Sequence, residues 1–186
     1  MSQRGNLIVV NGAPTSEKNA LAEKIAEKYK CPVFDMRKGY LPTREAASEI
    51  FDNNVSRILE QMSDDRVVRG VFVGFPCTIS QARHLLNVWG KYPIAFISLK
   101  TKWKIAEARF LGGSADLQEE EGDKKDKFVR QWDEYVRYIK PAIDFLKHSV
   151  TSFSLQASSL SNKEVYKKAS QFLEKEFSKP LATIGV

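Results

Sequence analysis

The sequence predicts one α/β domain built on a parallel β-sheet with helices on both faces. Apolar or β-branched runs alternate with segments whose apolar residues recur about every 3.6 positions, and this alternation is typical of parallel sheets. The runs are continuously apolar, which indicates strands that are covered on both sides. The five predicted strands lie at residues 7–10, 32–34, 71–73, 94–97 and 150–155, and residues 67–68 form a weaker sixth candidate.

Helices are predicted between the strands. The last one begins at a polar, cap-like residue and places Val165, Ala169, Phe172 and Leu173 on one face, which should close the core. The aromatic residues Trp89, Trp103, Trp132, Tyr135 and Tyr138 are expected to pack rather than to stack on a base. The predicted helices span residues 18–29, 43–62, 80–89, 102–111, 126–147 and 162–177.

The length of 186 residues fits a single domain over residues 1–186. Residues 112–127 join a Gly-Gly pair to an acidic run and a basic run, which predicts a mobile surface excursion. Residues 178–186 are expected to form a loosely attached tail. With 42% hydrophobic and 28% charged residues and no long apolar segment, the protein is expected in the cytoplasm, away from membranes.

The two cysteines, Cys31 and Cys77, are far apart and have no CxxC or histidine neighbours, so no metal site or disulfide framework is predicted. The formal charge of +6 suits an anionic partner or simply soluble helices. A nucleic-acid partner is disfavoured, because the basic residues are spread through helices without interleaved aromatic residues.

A phosphate-binding loop is suggested directly after the first strand. Gly12 is followed after five residues by Lys18 and then by a helix, the layout in which backbone N–H groups and a helix N-terminus surround an anion. The general pattern has Gly where Glu17 stands and Ser or Thr where Asn19 stands.

A second segment, Gly74-Phe75-Pro76-Cys77-Thr78, ends the third predicted strand. Together with the first loop and the order of elements from residue 7 to residue 177, it makes the chain resemble adenylate kinase and related nucleoside monophosphate kinases with a short lid. The family loop reads GxPGSGKGT, and its second signature reads DGFPRT. In this chain Gly12, Pro14, Ser16 and Lys18 match the first signature, and Gly74, Phe75, Pro76 and Thr78 match the second.

The resemblance implies a P-loop NTPase-type three-layer sandwich with a five-stranded parallel sheet and a short lid at about residues 112–127. It implies ATP and AMP as nucleotides, with Mg·ATP as cofactor if nucleotide binding survives. Lys18 and Arg109 are the implied catalytic residues, and Gln81 stands where the family recognises the acceptor adenine. The implied nucleotide-binding residues are Gly12, Ala13, Pro14, Thr15, Ser16, Glu17, Lys18, Asn19, Ala20 and Gln81.

Several phosphate-directed positions depart from the family pattern. Thr15, Glu17 and Asn19 replace three loop glycines. A carboxylate at position 17 that faced a phosphate at about 4 Å would cost about 4 kcal/mol, whereas one turned into water would suit a helix N-terminus. Gln81 and Arg109 also have interpretations that need no nucleotide. Gln81 could be a surface residue of its helix, and Arg109 could be a cation that stabilises the dipole at a helix end.

The positive clamp is also incomplete. Val73 stands in place of the acid that organises the Mg²⁺ shell, and Cys77 in place of the arginine that grips the acceptor phosphate. One lid arginine position is Gln131, and two others fall near Gly113 and residues 119–120. Candidate substitutes are Arg37, Lys38, Arg44 and Arg130, the last of which is one residue off the matching helical face.

Since phosphoryl transfer depends on positioning and positive charge, these losses favour a catalytically degenerate adenylate kinase-like protein that acts as a binding or scaffolding module for a protein partner or larger assembly. The alternative is an active, divergent nucleoside monophosphate kinase that transfers the γ-phosphoryl of ATP to AMP or a related nucleotide.

Overall fold

The computed structural model describes residues 6–35, 70–89, 93–113 and 121–177. Four sequence predictions lie outside these ranges: the helix at 43–62, the weak strand at 67–68, the tail at 178–186, and the substitute cations Arg37, Lys38 and Arg44.

Five parallel strands form one sheet in the described part of the chain. They pair in the order β2-β3-β1-β4-β5, so the first strand lies at the centre between β3 and β4. The register places Val10 beside Val73 and Ile97. The predicted α/β architecture with a five-stranded parallel sheet is therefore confirmed. The strands are β1 (Leu7–Gly12), β2 (Val33–Asp35), β3 (Gly70–Val73), β4 (Ile94–Lys100) and β5 (Thr151–Gln156).

The bounds of the described helices can be compared with the predicted ones. α1 and α6 have the predicted bounds, and α2 and α3 differ from prediction by one or two residues at their ends. Between α4 and α5 the helix widens into a π-helical turn at Tyr135–Ile139. The helices are α1 (Lys18–Tyr29), α2 (Ile79–Trp89), α3 (Trp103–Gly113), α4 (Glu121–Glu134), α5 (Lys140–Ser149) and α6 (Asn162–Phe177).

The core lies on both faces of the sheet, because successive side chains of a strand point to opposite sides. Ile8 and Val10 of β1 pack on one face against α1 and α6. Leu7 and Val9 pack on the other face against α2 and α5. This arrangement explains the continuously apolar strand sequences, since β1 and β3 are buried along their whole length.

The predicted excursion at residues 112–127 is too long. α3 continues through Gly113, and α4 already begins at Glu121, so only residues 114–120 fall between the two helices. Opposite charges four residues apart, such as Asp123 and Lys127, suit an exposed helix. Phe128, which is fully buried, fixes that helix to the domain.

α1 follows β1 on one face of the sheet, whereas α2 follows β3 on the other. The two chain segments therefore diverge at the carboxyl ends of adjacent strands, which is where open α/β sheets form their ligand crevices. No described helix is long and apolar enough to cross a membrane.

Candidate functional site

The loop of residues 13–17 joins the centre of the sheet to α1. Gly12 is required at its start, because a Cβ atom there would lie 2.3 Å from the carbonyl oxygen of Leu99. Thr15 and Glu17 adopt left-handed backbone conformations, with φ of 54° and 62°. A non-glycine residue in that region costs about 1–2 kcal/mol. The loop thus keeps a glycine-type backbone at two positions where this sequence has side chains.

Several donors of this loop are unused in the described part of the chain. The backbone N–H groups of Thr15, Glu17, Asn19 and Ala20 donate to no carbonyl group there. The hydroxyl of Ser16 is buried and has no partner among the same residues. Free N–H groups at a helix N-terminus are the donors that bind an anion in such loops.

The sequence left open whether the Glu17 carboxylate faces a phosphate site or the solvent. The side chain is exposed and lines a small hollow between α1 and α6, together with Lys24 and Asn162. It does not line the cavity beside the loop. The carboxylate therefore lies at the surface near a helix N-terminus, and only the backbone strain remains as its cost.

Lys18 is the first residue of α1 and lies beside the loop. The side chain is only 7% exposed, and its Nζ donates to the carbonyl oxygen of Ala13 at 3.3 Å. It lines a cavity of about 180 Å³ at the carboxyl ends of β1 and β3. The ammonium group is thus directed along the inside of the loop.

Asn11 connects the two signature loops and was missed from the sequence. Its side chain is 1% exposed, accepts from the N–H of Gly12 and donates to the carbonyl of Pro76, both at 2.8 Å. Gly74 donates its N–H to Val10 and has a φ of 73°, which favours glycine. The sequence feature that could have identified Asn11 is its position as a polar residue directly after the apolar run of residues 7–10.

Gln81 is part of a helix cap. Its Oε1 accepts from the N–H groups of Cys77 at 2.7 Å and Thr78 at 3.3 Å, while the Thr78 hydroxyl accepts from the N–H of Gln81. This reciprocal pattern is a capping box. Gln81 is 8% exposed, so it is not a surface residue of α2, and its amide oxygen is committed to the backbone.

Arg109 holds the loop from outside the cavity. Its two terminal nitrogens donate to the carbonyl oxygens of Thr15 and Ala157, each at 3.3 Å. The hydroxyl of Thr15 in turn donates to the carbonyl of Ala106 at 3.2 Å. α3 is therefore connected to the loop through both the backbone and the side chain of Thr15. The guanidinium group is not among those that line the cavity.

The cavity itself carries little positive charge. Of the described residues that line it, Lys18 is the cation and Glu134 is an acid, and the others are uncharged. Arg130 is exposed and does not line the cavity. The uncharged lining residues are Asn11, Gly12, Pro14, Gly74, Cys77, Gln131, Tyr135 and Ile139.

The π-helical turn forms one wall of the cavity. Tyr135 and Ile139 lie at its two ends and both face the cavity, while Gln131 and Glu134 precede it on α4. Burial raises the pKa of the Tyr135 phenol, and the nearby Asp144 carboxylate adds to the rise. The ring therefore presents a neutral hydroxyl at neutral pH.

The aromatic residues of this region pack, as predicted. The ring of Trp103 lies 4.9 Å from that of Phe128 and 5.1 Å from that of Trp132, both edge to face. Trp132 also contacts Tyr135 at 5.5 Å, so the cluster extends to the wall of the cavity. Trp89 is 4% exposed and belongs to the core.

The residues present do not fit Mg·ATP well. Val73, at the position of the Mg²⁺-organising acid, is an apolar residue that is 1% exposed, and Cys77 donates its thiol to the carbonyl of Gly74. Asn19, which follows the loop lysine, is exposed and does not line the cavity. Val73 and Cys77 therefore supply no side-chain oxygen ligand for Mg²⁺, and the amide oxygen of Asn19 does not line the cavity.

The sequence matches no model of a known protein family, and no curated protein is significantly similar to it.

Proposed function

We propose that the chain is a P-loop domain of the adenylate kinase type that does not transfer phosphoryl groups and that serves in the cytoplasm as a binding or scaffolding module for a protein partner. The charge of the cavity carries this proposal. Lys18 and Glu134, its charged groups in the described part of the chain, sum to zero.

A kinase of this kind must neutralise the phosphates of both nucleotides, and it does so with several converging cations. Removing a single preorganised donor commonly costs about 3–4 kcal/mol in a transition state. Glu134 at the cavity wall adds repulsion, because a carboxylate there faces the same space as an incoming phosphate.

The way Arg109 is used supports the same conclusion. Its guanidinium group donates to two backbone carbonyls, those of Thr15 and Ala157. Such contacts link the loop to α3 and to the residue that follows β5, which makes Arg109 a positioning residue. A transferring phosphoryl group in the cavity would have to compete with both carbonyls for these donors.

The test is ADP formation from Mg·ATP and AMP by the purified chain. Lys18→Ala removes the cavity cation, and Lys24→Ala, an exposed lysine of the same helix, is the matched control. We expect all three proteins to stay at the background rate. Turnover that is present in the parent chain and in Lys24→Ala but lost in Lys18→Ala would refute the proposal.

The second candidate is a divergent nucleoside monophosphate kinase, and the position of Glu17 favours it. That carboxylate lies outside the cavity, and the loop keeps free N–H donors together with the buried Ser16 hydroxyl. The loop could thus bind a phosphate group, although Lys18 is the one cation that the described lining of the cavity supplies. Turnover in the assay above would establish this alternative.

A further inference from the structure

Three lysines lie close together where β4 leads into α3. Lys100 is the last residue of β4, Lys102 precedes α3, and Lys104 is in its first turn. All three are exposed. Within the described ranges none of them forms an ion pair or a side-chain hydrogen bond. We call these lysines and the neighbouring Ile105 the basic corner.

The basic corner is electrostatically unfavourable for the isolated domain. The first turn of α3 contains no acidic residue, and the N-terminus of a helix already carries a partial positive charge. At α6, by contrast, Glu164 lies in the first turn and accepts from the N–H and hydroxyl of Ser161. The lysines of the basic corner therefore destabilise their own helix slightly and produce a local positive potential that suits an external anion.

An apolar group accompanies the charges. Ile105 is 39% exposed, one residue after Lys104. Trp103, two residues earlier, is half-buried, and its ring contacts the rings of Phe128 and Trp132. An apolar group on a rigid support with a polar, charged rim around it has the layout of the centre and rim of a protein–protein contact.

These features favour a protein partner over a nucleic acid. Single-stranded nucleic acids are bound through aromatic ring faces on which bases stack. Here the aromatic residue is packed into a cluster, and the exposed apolar group is aliphatic. An acidic polypeptide can use both parts of the surface, with carboxylates for the lysines and an apolar side chain for Ile105.

We propose that the basic corner binds an acidic segment of a protein partner in which apolar residues alternate with Asp or Glu. This inference rests on the proposed function as a binding module and names the surface that binds. Binding at this surface does not require a nucleotide in the cavity.

The experiment is fluorescence anisotropy with a labelled peptide of alternating Glu and Leu, using the full chain. The combined variant Lys100→Glu/Lys102→Glu/Lys104→Glu should bind about tenfold more weakly or worse, and Ile105→Ser several-fold more weakly. The matched control is Lys24→Glu/Lys167→Glu/Lys175→Glu, which makes the same change in formal charge on α1 and α6. It should lose much less affinity, because these lysines lie on α1 and α6, which pack against each other, and not on the basic corner.

Three outcomes would overturn the inference. The first is no binding by the parent chain, and the second is equal loss in both combined variants. The third is tighter binding of an oligothymidylate of equal charge with no effect of Ile105→Ser, which would indicate a nucleic acid. If the peptide does not bind and ADP formation stays at the background rate, only this inference is refuted. If ADP forms above the background rate, the proposed function is refuted whether or not the peptide binds.

Discussion

Asn11 should be among the most sensitive polar positions of the protein. Replacing it with Ala removes the acceptor for the Gly12 N–H and the donor for the Pro76 carbonyl, both at 2.8 Å and both in buried surroundings. A buried polar group left without a partner costs about 1–3 kcal/mol, so the two together cost about 2–6 kcal/mol. This is a large fraction of the total of about 5–15 kcal/mol expected for a domain.

Urea unfolding followed by tryptophan fluorescence gives the free energy of unfolding by linear extrapolation. Asn19→Ala is the matched control, because Asn19 is exposed in the first turn of α1 and should change stability by less than about 0.5 kcal/mol. If Asn11→Ala were as stable as Asn19→Ala, Asn11 would not connect the two loops as described.

Three further predictions concern the same framework. Gly12→Ala should lower the free energy of unfolding by about 1–3 kcal/mol or more, since its Cβ would meet the Leu99 carbonyl. Gly112→Ala, whose Cβ would have nothing within 4 Å, should raise the free energy of unfolding by about 0.5–1 kcal/mol. Chemical denaturation measures both changes. Gln81→Ala should cost about 1–2 kcal/mol by removing the cap of α2, and Gln81→Glu should retain most of that stability because it keeps the acceptor; equal losses in thermal unfolding would contradict the capping role. The hydrogen bonds from Ser161 lower the pKa of Glu164 below its ordinary value, so the stability that its carboxylate contributes is present at neutral pH and is lost as the pH falls through the lowered pKa. Glu164→Gln should therefore be less stable than the parent chain at pH 7, and a difference that stayed constant on acidification would speak against this linkage.

The sequence was sufficient to predict the elements whose pattern is set by burial. The strands around β1 are buried on both faces, so their apolar runs were visible without a structure. The bounds of α1 and α6 also agreed, since each helix has a clear apolar face that packs on the sheet, formed in α6 by Val165, Ala169 and Leu173.

Other features depended on tertiary contacts. The first turns of α4 are strongly charged and contain no apolar residue before Phe128, so periodicity could not separate them from a loop. The sequence left open whether the Glu17 carboxylate faces a phosphate or the solvent, and its position outside the cavity became visible only in the folded loop. Gln81 matched a family position, yet its bonds to Cys77 and Thr78 became visible only in the folded cap.

We propose that the cavity holds too little positive charge to bind the phosphates of a donor and an acceptor nucleotide together. Heat denaturation of the full chain with a bisubstrate dinucleotide analogue tests it directly, with Lys18→Ala as the reference for non-specific effects. A ligand at a hundredfold excess over its dissociation constant raises the free energy of unfolding by about 2.7 kcal/mol. We expect that the analogue does not shift the unfolding transition of the parent chain relative to that of Lys18→Ala. A saturable rise toward that value in the parent chain, absent from the variant, would contradict it.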